Sequence, residues 1–512
     1  MIPNTAFLAV LIPGILGIVF YVVAYVSEHV SLLKYVQKYV HKYTGGIAGW
    51  VATAVGASSV FLILSMMKPV VDAYNNGQNS LVFVYPWISS VNINFGFLID
   101  MVSFPIGLTI ALVSTISCLY SIKHMEKEPH QTSYYANLLF FMTGMIGVVF
   151  SLSLIQFYLF WELMLIPSYL LIARWGTSGR RLGIGFKYFI FTHMGALMML
   201  LGILSIFSYT MTFDLTELPS KASLIPPSMV PVIFILLLLG FFVKMAAFPL
   251  HTWLPDAHSE APTPISAMLS GIMIKSGAYG IARILLTIFG QSMIQASDYL
   301  LTLAIITMVY GGLMALAQAD IKRLLAYSSI SQMGYIIFGF ATVSTLGIMG
   351  SLFHVVNHAI CKALLFMCAG SIIHQTGTRN IRKMSGLITK MPVTGFACLI
   401  GIFSLVGAPP LNGFWSEWMI FGGGLASQKI VFTFIGAAST IITAGYLLWF
   451  AWRVFFGAVP KGLENVKESS PLLLIPIVML ASASIILGIW PGLILDLITP
   501  AAEFLSSFMG AS

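Results

Sequence analysis

Fourteen apolar runs, each about 20–30 residues long, follow one another along this chain, near 5–27, 46–66, 96–122, 135–153, 154–174, 184–209, 229–250, 264–287, 299–317, 324–343, 346–373, 393–422, 430–452 and 471–494. Runs of that length match what a helix needs to cross a bilayer. The segments between them are too short to be soluble domains, and the chain lacks the charge to solvate one. Of 512 residues only 8% are Asp, Glu, Lys or Arg, against about 25% in a soluble domain. The runs are rich in Leu, Met, Gly and Phe and show no alternating polar face, which excludes a porin-type barrel with a polar lumen. The chain therefore reads as all-α, a polytopic membrane protein with about 14 transmembrane helices. Its first run lacks a basic flank and a small-residue cleavage site, so it reads as a retained helix and not a signal peptide.

The net charge of +8 would suggest nucleic acid in a soluble protein. Here the basic residues sit in short loops between runs, where orientation in the membrane explains them and no nucleic acid is implied. If the first terminus lies outside and the chain alternates, eighteen of the 25 Lys and Arg fall in inward loops, among them Lys34, Lys38, Lys42, Arg180, Arg181, Lys322 and Arg323. Lys68, Lys221 and Lys429 fall outward, and Lys244, Lys275, Arg283 and Lys362 lie within runs. This bias places both termini on the outer side. Cys118, Cys361, Cys368 and Cys398 all lie in apolar runs without pairing or metal spacing, and read as small packing residues.

Two runs are interrupted. The run near 229–250 meets Pro249 just after Lys244, and the run near 393–422 is broken by Gly407-Ala408-Pro409-Pro410 just before Glu417. Proline frees backbone carbonyls, which is tolerable at membrane depth only against protein or water. Interrupted helices at matching places in two halves predict two inverted five-helix repeats, the fourth to eighth and the ninth to thirteenth crossings. The expected divisions are residues 1–134 for the first three helices, 135–290 and 298–456 for the repeats, and 457–512 for the last helix.

Five ionisable residues fall near the middle of runs: Glu162, Lys244, Lys275, Lys362 and Glu417. Each costs roughly 2.5–3.5 kcal/mol at a helix centre, so all five must face the bundle interior, with partners or water. Burial disfavours the charged form of both Lys and Glu, and pairing restores it, so a buried Glu–Lys pair can be switched by separating its members. That chemistry suits a proton relay; structural pairing with some snorkelling is the alternative. His354, His358 and Lys362 lie four apart on one helical face, a polar seam. HxxxH spacing also occurs in zinc sites, but HExxH and a third ligand are missing, so the seam reads as a hydrated proton path and no metal is expected. His251, Asp256, His258 and Glu260 crowd one short inward loop, whose bland reading is a solvated face, and His193 could equally be a packing residue. Phosphate loops, CxxC clusters, haem-attachment motifs and nucleophilic triads are missing, so no redox centre is visible in this chain.

Several of these stretches resemble a known family. FYLFWELMLIPSYLLIARWG around Glu162, GFFVKMAAFPLHTWLPDAHSEAPTPISAMLSGIMIKSGAYGIARI with Lys244 and Lys275, DIKRLLAYSSISQMGY and HVVNHAICKALLFMCAG are similar to the antiporter-like, proton-translocating membrane subunits of the respiratory complex I superfamily. Glu417 in GAPPLNGFWSEWMIF is similar to the subunit-four type, the bacterial M chain, where most other members carry Lys. Lys362 departs from that type and is more like the other branches. The resemblance implies a membrane-arm subunit of a redox-driven pump, an NADH:quinone oxidoreductase or a relative. It implies that Glu162 and Lys244 form the modulated pair of a first half-channel, with Lys275 leading to the central axis. His354, His358 and Lys362 would carry protons between halves, and Glu417 would gate the second. Flavin, iron–sulfur clusters and quinone are expected in partner subunits and none in this chain. The expected partners are other antiporter-like subunits and a redox arm, in an energy-transducing membrane, with protons (or Na+) as cargo. A cation/proton antiporter subunit without redox coupling is the alternative.

Overall fold

Hydrocarbon offers backbone polar groups no partner, so each apolar run closes its own hydrogen bonds as a helix. The computed structural model describes residues 4–29, 34–88 and 93–510, with side chains described except over 27–46. Lys34, Lys38 and Lys42 therefore lie where the backbone alone is described. The helices are α1 (Thr5–His29), α2 (Lys34–Ser65), α3 (Met67–Asn75), α4 (Ser103–His124), α5 (Gln131–Phe150), α6 (Leu154–Trp175), α7 (Arg181–Thr210), α8 (Val230–Met245) and α9 (Leu254–Glu260). They continue as α10 (Thr263–Ile288), α11 (Gly290–Leu316), α12 (Ile321–Ala341), α13 (Thr345–Thr376), α14 (Pro392–Leu405), α15 (Asn412–Ala426), α16 (Ile430–Phe455), α17 (Pro471–Ile489) and α18 (Gly492–Ser507). Among the described residues twelve spans are long and apolar enough to cross a membrane. Two shorter apolar helices, α8 and α14, each ending in a break, complete the fourteen expected crossings.

Three details differ from the sequence reading. The run expected from 96 begins as a strand: Leu81–Ile88 (β1) and Ile93–Ile99 (β2) pair antiparallel, and helix starts only at Ser103. Ile93, Phe95 and Phe97 are β-formers at a spacing of two, a period that a search for continuous apolar runs does not see. Asp100 then sets the helix start, its carboxylate accepting from the Val102 and Ser103 amides at 3.0 and 2.8 Å. The second helix begins at Lys34, earlier than its apolar stretch. The last helix, α18, was not expected; it packs on α13 and α17, and Phe504 and Phe508 close a cavity of about 540 Å3 beside Leu98 of the hairpin. Tyr85 donates to Asn4 at 3.0 Å, so the first described residues lie on the hairpin's face of the membrane.

Helices α5, α10, α12 and α13 are buried almost all round, while α1, α2, α7, α11, α16 and α17 turn long apolar faces outward. A helix apolar on every side belongs in the middle of a bundle. The polar seam residues ride mostly on these central helices, out of reach of lipid. Small side chains permit close approach: a Cβ on Gly334 of α12 would lie 2.7 Å from the Ala304 carbonyl of α11. Where α10 meets the hairpin, Arg283 forks onto Asp100 at 2.6 and 2.7 Å and donates to the Tyr279 hydroxyl at 3.0 Å. Tyr279 in turn donates to the Val149 carbonyl at 2.6 Å. Every charge here is matched, and both partners are buried.

Removing one member of such a pair strands the other. Asp100→Asn is expected to cost about 3–5 kcal/mol, read as a lowered unfolding midpoint of the purified protein in detergent. The double change Asp100→Asn with Arg283→Met, which removes both charges and keeps an acceptor for the Val102 and Ser103 amides, is expected to recover most of the loss. An Asp100→Asn protein as heat-stable as the parent contradicts this assignment.

Candidate functional site

The first broken helix presents Lys244 at its end. Helix α8 stops at Met245, and Ala246 takes φ +54, turning the chain into α9. Lys244 is buried, its Nζ 5.2 Å from the centroid of the Trp161 ring and without a hydrogen-bond partner in the protein. The ring faces the ammonium as a weak cation–π partner. Glu162, the next residue on α6, turns instead to His193 of α7, Oε2 to Nδ1 at 3.1 Å, and its Oε1 has no partner. No ion pair joins Glu162 to Lys244. His193 is thus no mere packing residue.

The middle of the site is sewn by serines. In α10 the turns over Leu269–Met273 widen to a π-helix, and Lys275 just beyond donates to the Ser270 carbonyl that this widening frees. The Ser270 and Ser329 hydroxyls meet at 2.7 Å, tying α10 to α12. Lys362 of α13 donates to the Ser328 hydroxyl and, at 3.2 Å, to the Leu325 carbonyl. Along α13 the seam continues through His358, both of whose ring nitrogens lack a partner, to His354, with ring centroids 5.9 Å apart. His354 bridges Gln332 of α12 at 2.8 Å and Ser416 of α15 at 3.0 Å, so its ring is held by hydrogen bonds and is not arranged for a metal. Among the described residues no three His, Cys, Asp or Glu side chains gather as a metal site.

Glu417 follows Ser416 on the second broken helix, buried, with Oε1 unpartnered. The break that admits it is pinned by Asn412 and Asn357, each amide donating to the other residue at 2.9 Å, while the Ser484 hydroxyl donates to the Asn412 side chain at 2.7 Å. Gly407 lies against the carboxylate: its φ is +75, and a Cβ there would sit 2.7 Å from Oε2.

The segment between the first break and α10, which holds the short helix α9, is tied down: His251, His258 and Glu260 are buried and Asp256 is half-buried. Asp256 pairs with Lys187 of α7 at 2.7 Å and Arg323 of α12 at 3.0 Å. Burial pushes its carboxyl up, but Lys187 and Arg323 outweigh that and hold it below the usual carboxylate range. Glu260 accepts from the Ser178 hydroxyl at 2.6 Å, and Arg379 donates to the Ser259 carbonyl at 2.7 Å. His251 stacks on Phe248 and meets Tyr310 at a tilt, and His258 is wholly buried. Lys322, counted above as a loop cation, is buried too, donating to the Ala261 carbonyl at 2.7 Å. Lys322, Asn357 and Asn412 are members of this polar interior that sequence reasoning did not single out; an Asn in each of two interrupted or polar-striped helices was the available signal.

Fold and buried polar line together define an antiporter-like membrane subunit. Residues 151–443 match the family described as NADH:quinone oxidoreductase/Mrp antiporter, TM, and residues 87–135 match the NADH-Ubiquinone oxidoreductase (complex I), chain 5 N-terminus. The chain belongs to this family and is a proton-translocating membrane subunit of the complex I type. It is 35% identical to F(420)H(2) dehydrogenase subunit M of Methanosarcina mazei, over 82% of this chain and 86% of that protein. It is 36% identical to a Na(+)/H(+) antiporter subunit of Alkalihalophilus pseudofirmus, over 82% of this chain and 55% of that one. A chain of respiratory complex I from Thermus thermophilus superposes with a TM-score of 0.81 at 25% identity, covering 92% of this chain and 99% of that chain.

The position of Gly407 makes a local test. Gly407→Ala forces a left-handed alanine against Glu417 and is expected to cost about 1–3 kcal/mol, seen as a lower unfolding midpoint in detergent. Gly445→Ala on α16, where an added Cβ meets nothing within 4 Å, is expected to leave the midpoint unchanged or raise it. Equal midpoints for the two variants contradict the placement of Glu417 beside the break.

Proposed function

We propose that the chain is a subunit-four-type member of the membrane arm of a redox-driven pump and that protons cross it along the line Glu162, Lys244, Lys275, Lys362, His358, His354, Glu417. One observation carries this reading: buried polar atoms without a protein partner include Glu162 Oε1, Lys244 Nζ, both nitrogens of His358 and Glu417 Oε1, all on that line. Leaving such groups dry costs several kcal/mol each for charges, and water is the remaining partner. A hydrated file of titratable groups conducts protons.

The two halves have separate tasks in this reading, residues 135–290 and 298–456 acting as inverted repeats between flanking segments 1–134 and 457–512. In the first, Glu162 is turned to His193 and away from Lys244, which is the opened form of the pair. Closing it stabilises the ammonium, and opening it favours release of the Lys244 proton toward Lys275. Lys362, His358 and His354 pass the proton across, and His354 hands it through Ser416 to the neighbourhood of Glu417. In the second, Glu417 holds or yields a proton at the break beside Gly407.

The Glu162–His193 pair supports the presence of partner subunits. Its side chains are 17% and 35% exposed in the isolated chain, in the middle of two spans where lipid would otherwise touch them. A neighbouring membrane subunit covering this face removes that cost. Flavin, iron–sulfur clusters and quinone belong to other subunits, whose electron transfer shifts the charges along the axis. In this reading the Lys/Arg-rich face is inward and the hairpin face, with both termini, outward in an energy-transducing membrane, an orientation that the excess of basic residues in the short loops supports. The likeness to an antiporter protein supports a second reading, cation/proton exchange without redox chemistry; flavin and iron–sulfur subunits that co-purify with the chain decide for the pump, and an assembly lacking them decides for exchange.

In the assembled complex reconstituted in liposomes, Lys244→Ala or Glu417→Ala is expected to lower protons moved per electron, with intact assembly on native gels. A parental ratio in both variants contradicts the path.

A further inference from the structure

Of the two histidines on the polar line, His358 has neither ring nitrogen bound by the protein and His354 has both. A neutral imidazole carries a single N–H. Gln332 Oε1, 2.8 Å from Nε2, can only accept, so neutral His354 holds its proton on Nε2. Nδ1 is left as an acceptor and faces the Ser416 hydroxyl at 3.0 Å. Tyr335 of α12 lies against the ring, 5.8 Å between centroids and 12° between planes, and helps to hold it in this orientation.

Ser416 has one hydroxyl proton and two acceptors for it. Its Oγ lies 3.0 Å from His354 Nδ1 and 3.0 Å from the Gly413 carbonyl, one turn back on α15. It donates to one of them at a time. Donated to Nδ1, the hydroxyl covers the only free lone pair of the neutral ring, and His354 takes no proton. Turned to Gly413, it uncovers Nδ1. Protonated His354 admits only the second position, because its Nδ1–H then donates to Ser416 Oγ. Gly413 belongs to the second break: a Cβ there would run into the Ser404 carbonyl in the last turn of α14. The hydroxyl thus turns between the central seam and the backbone that joins the two halves of the broken helix.

We propose that Ser416 is a two-position gate on His354, with Gln332 and Tyr335 as positioning residues that keep Nδ1 turned to it. The step balances in protons alone. The hydroxyl turns from Nδ1 to the Gly413 carbonyl. One H+ arrives at Nδ1 through water from the side of His358, and the ring becomes an imidazolium. The new N–H bond then breaks, the H+ leaves through water toward Glu417, and the hydroxyl returns to Nδ1. No bond to carbon changes and no electrons move. Protons cross at His354 only while the hydroxyl is turned away, so the resting complex is shut between its halves.

This inference rests on the proton-path reading, and two measurements on the assembled complex in liposomes separate the two. The first is the decay of an imposed pH difference with no electron donor present. The second is protons moved per electron with NADH or F420H2, whichever the complex oxidises. A trapped pH-sensitive dye reads both. Ser416→Ala leaves Nδ1 uncovered and is expected to speed the decay about three- to tenfold, the population shift that one ordinary hydrogen bond sets. Ser416→Thr keeps a hydroxyl and is expected to leak less than Ser416→Ala. Ser416→Cys, close in size and a weak donor, is expected to leak as well, and it stands in where the alanine variant fails to assemble. A packing defect leaks with or without the imidazole. Ser416→Ala combined with His354→Asn is therefore expected to return the decay to that of His354→Asn alone. Parental decay in both Ser416→Ala and Ser416→Cys, or a leak that persists in the double variant, overturns the gate; the path stands as long as His354→Asn lowers protons per electron. A parental ratio in His354→Asn overturns the path at this step and the gate with it.

Discussion

An ionisable side chain inside a bilayer must be matched by an opposite charge, by hydrogen bonds or by water, and this chain meets that demand in two distinct ways at similar depth. Arg283 and Asp100 are fully matched to each other and to Tyr279. Lys244, His258, His358 and Glu417 are buried as deeply but keep polar atoms that the protein leaves unpaired. The first arrangement holds the hairpin to α10 and has no reason to change protonation. The second tolerates either protonation state, because water can donate or accept as needed, and that is the property a relay requires.

The architecture follows from protecting the second kind of group. The helices buried all round carry Lys275, His354, His358 and Lys362, while the outer helices offer their apolar faces to lipid. Where a group must stand between helices, a helix is interrupted. Lys244 closes α8 and Glu417 follows the Gly407–Leu411 break, each break exposing backbone to protein or water and not to lipid. Serines at the crossings of α10, α12 and α13 satisfy the lysines without neutralising them.

Much of this was legible in the chain itself. Lys244, Lys275, Lys362, Glu162 and Glu417 stand out because they interrupt otherwise continuous apolar runs, and an interruption is a local signal. The two breaks were visible for the same reason, through Pro249 and Pro409-Pro410. The hairpin was not, since Ile93–Ile99 is as apolar as the helix that follows and differs only in period. The burial of Lys322 and His258 was not legible, because charged neighbours in a short loop look solvated until Lys187, Arg323 and Arg379 are seen to tie it down. The Asp100–Arg283 pair joins residues 183 apart, a distance that no pattern in one sequence spans.

The claim on which the rest depends is that the unpaired buried atoms are wet. High-resolution cryo-electron microscopy of the assembled complex in lipid nanodiscs measures this directly. The account predicts ordered water hydrogen-bonded to Lys244 Nζ, to the ring nitrogens of His258 and His358 and to Glu417 Oε1, joined into a continuous file. Those same atoms packed dry against apolar side chains, with no water density between Lys244 and Glu417, would contradict it.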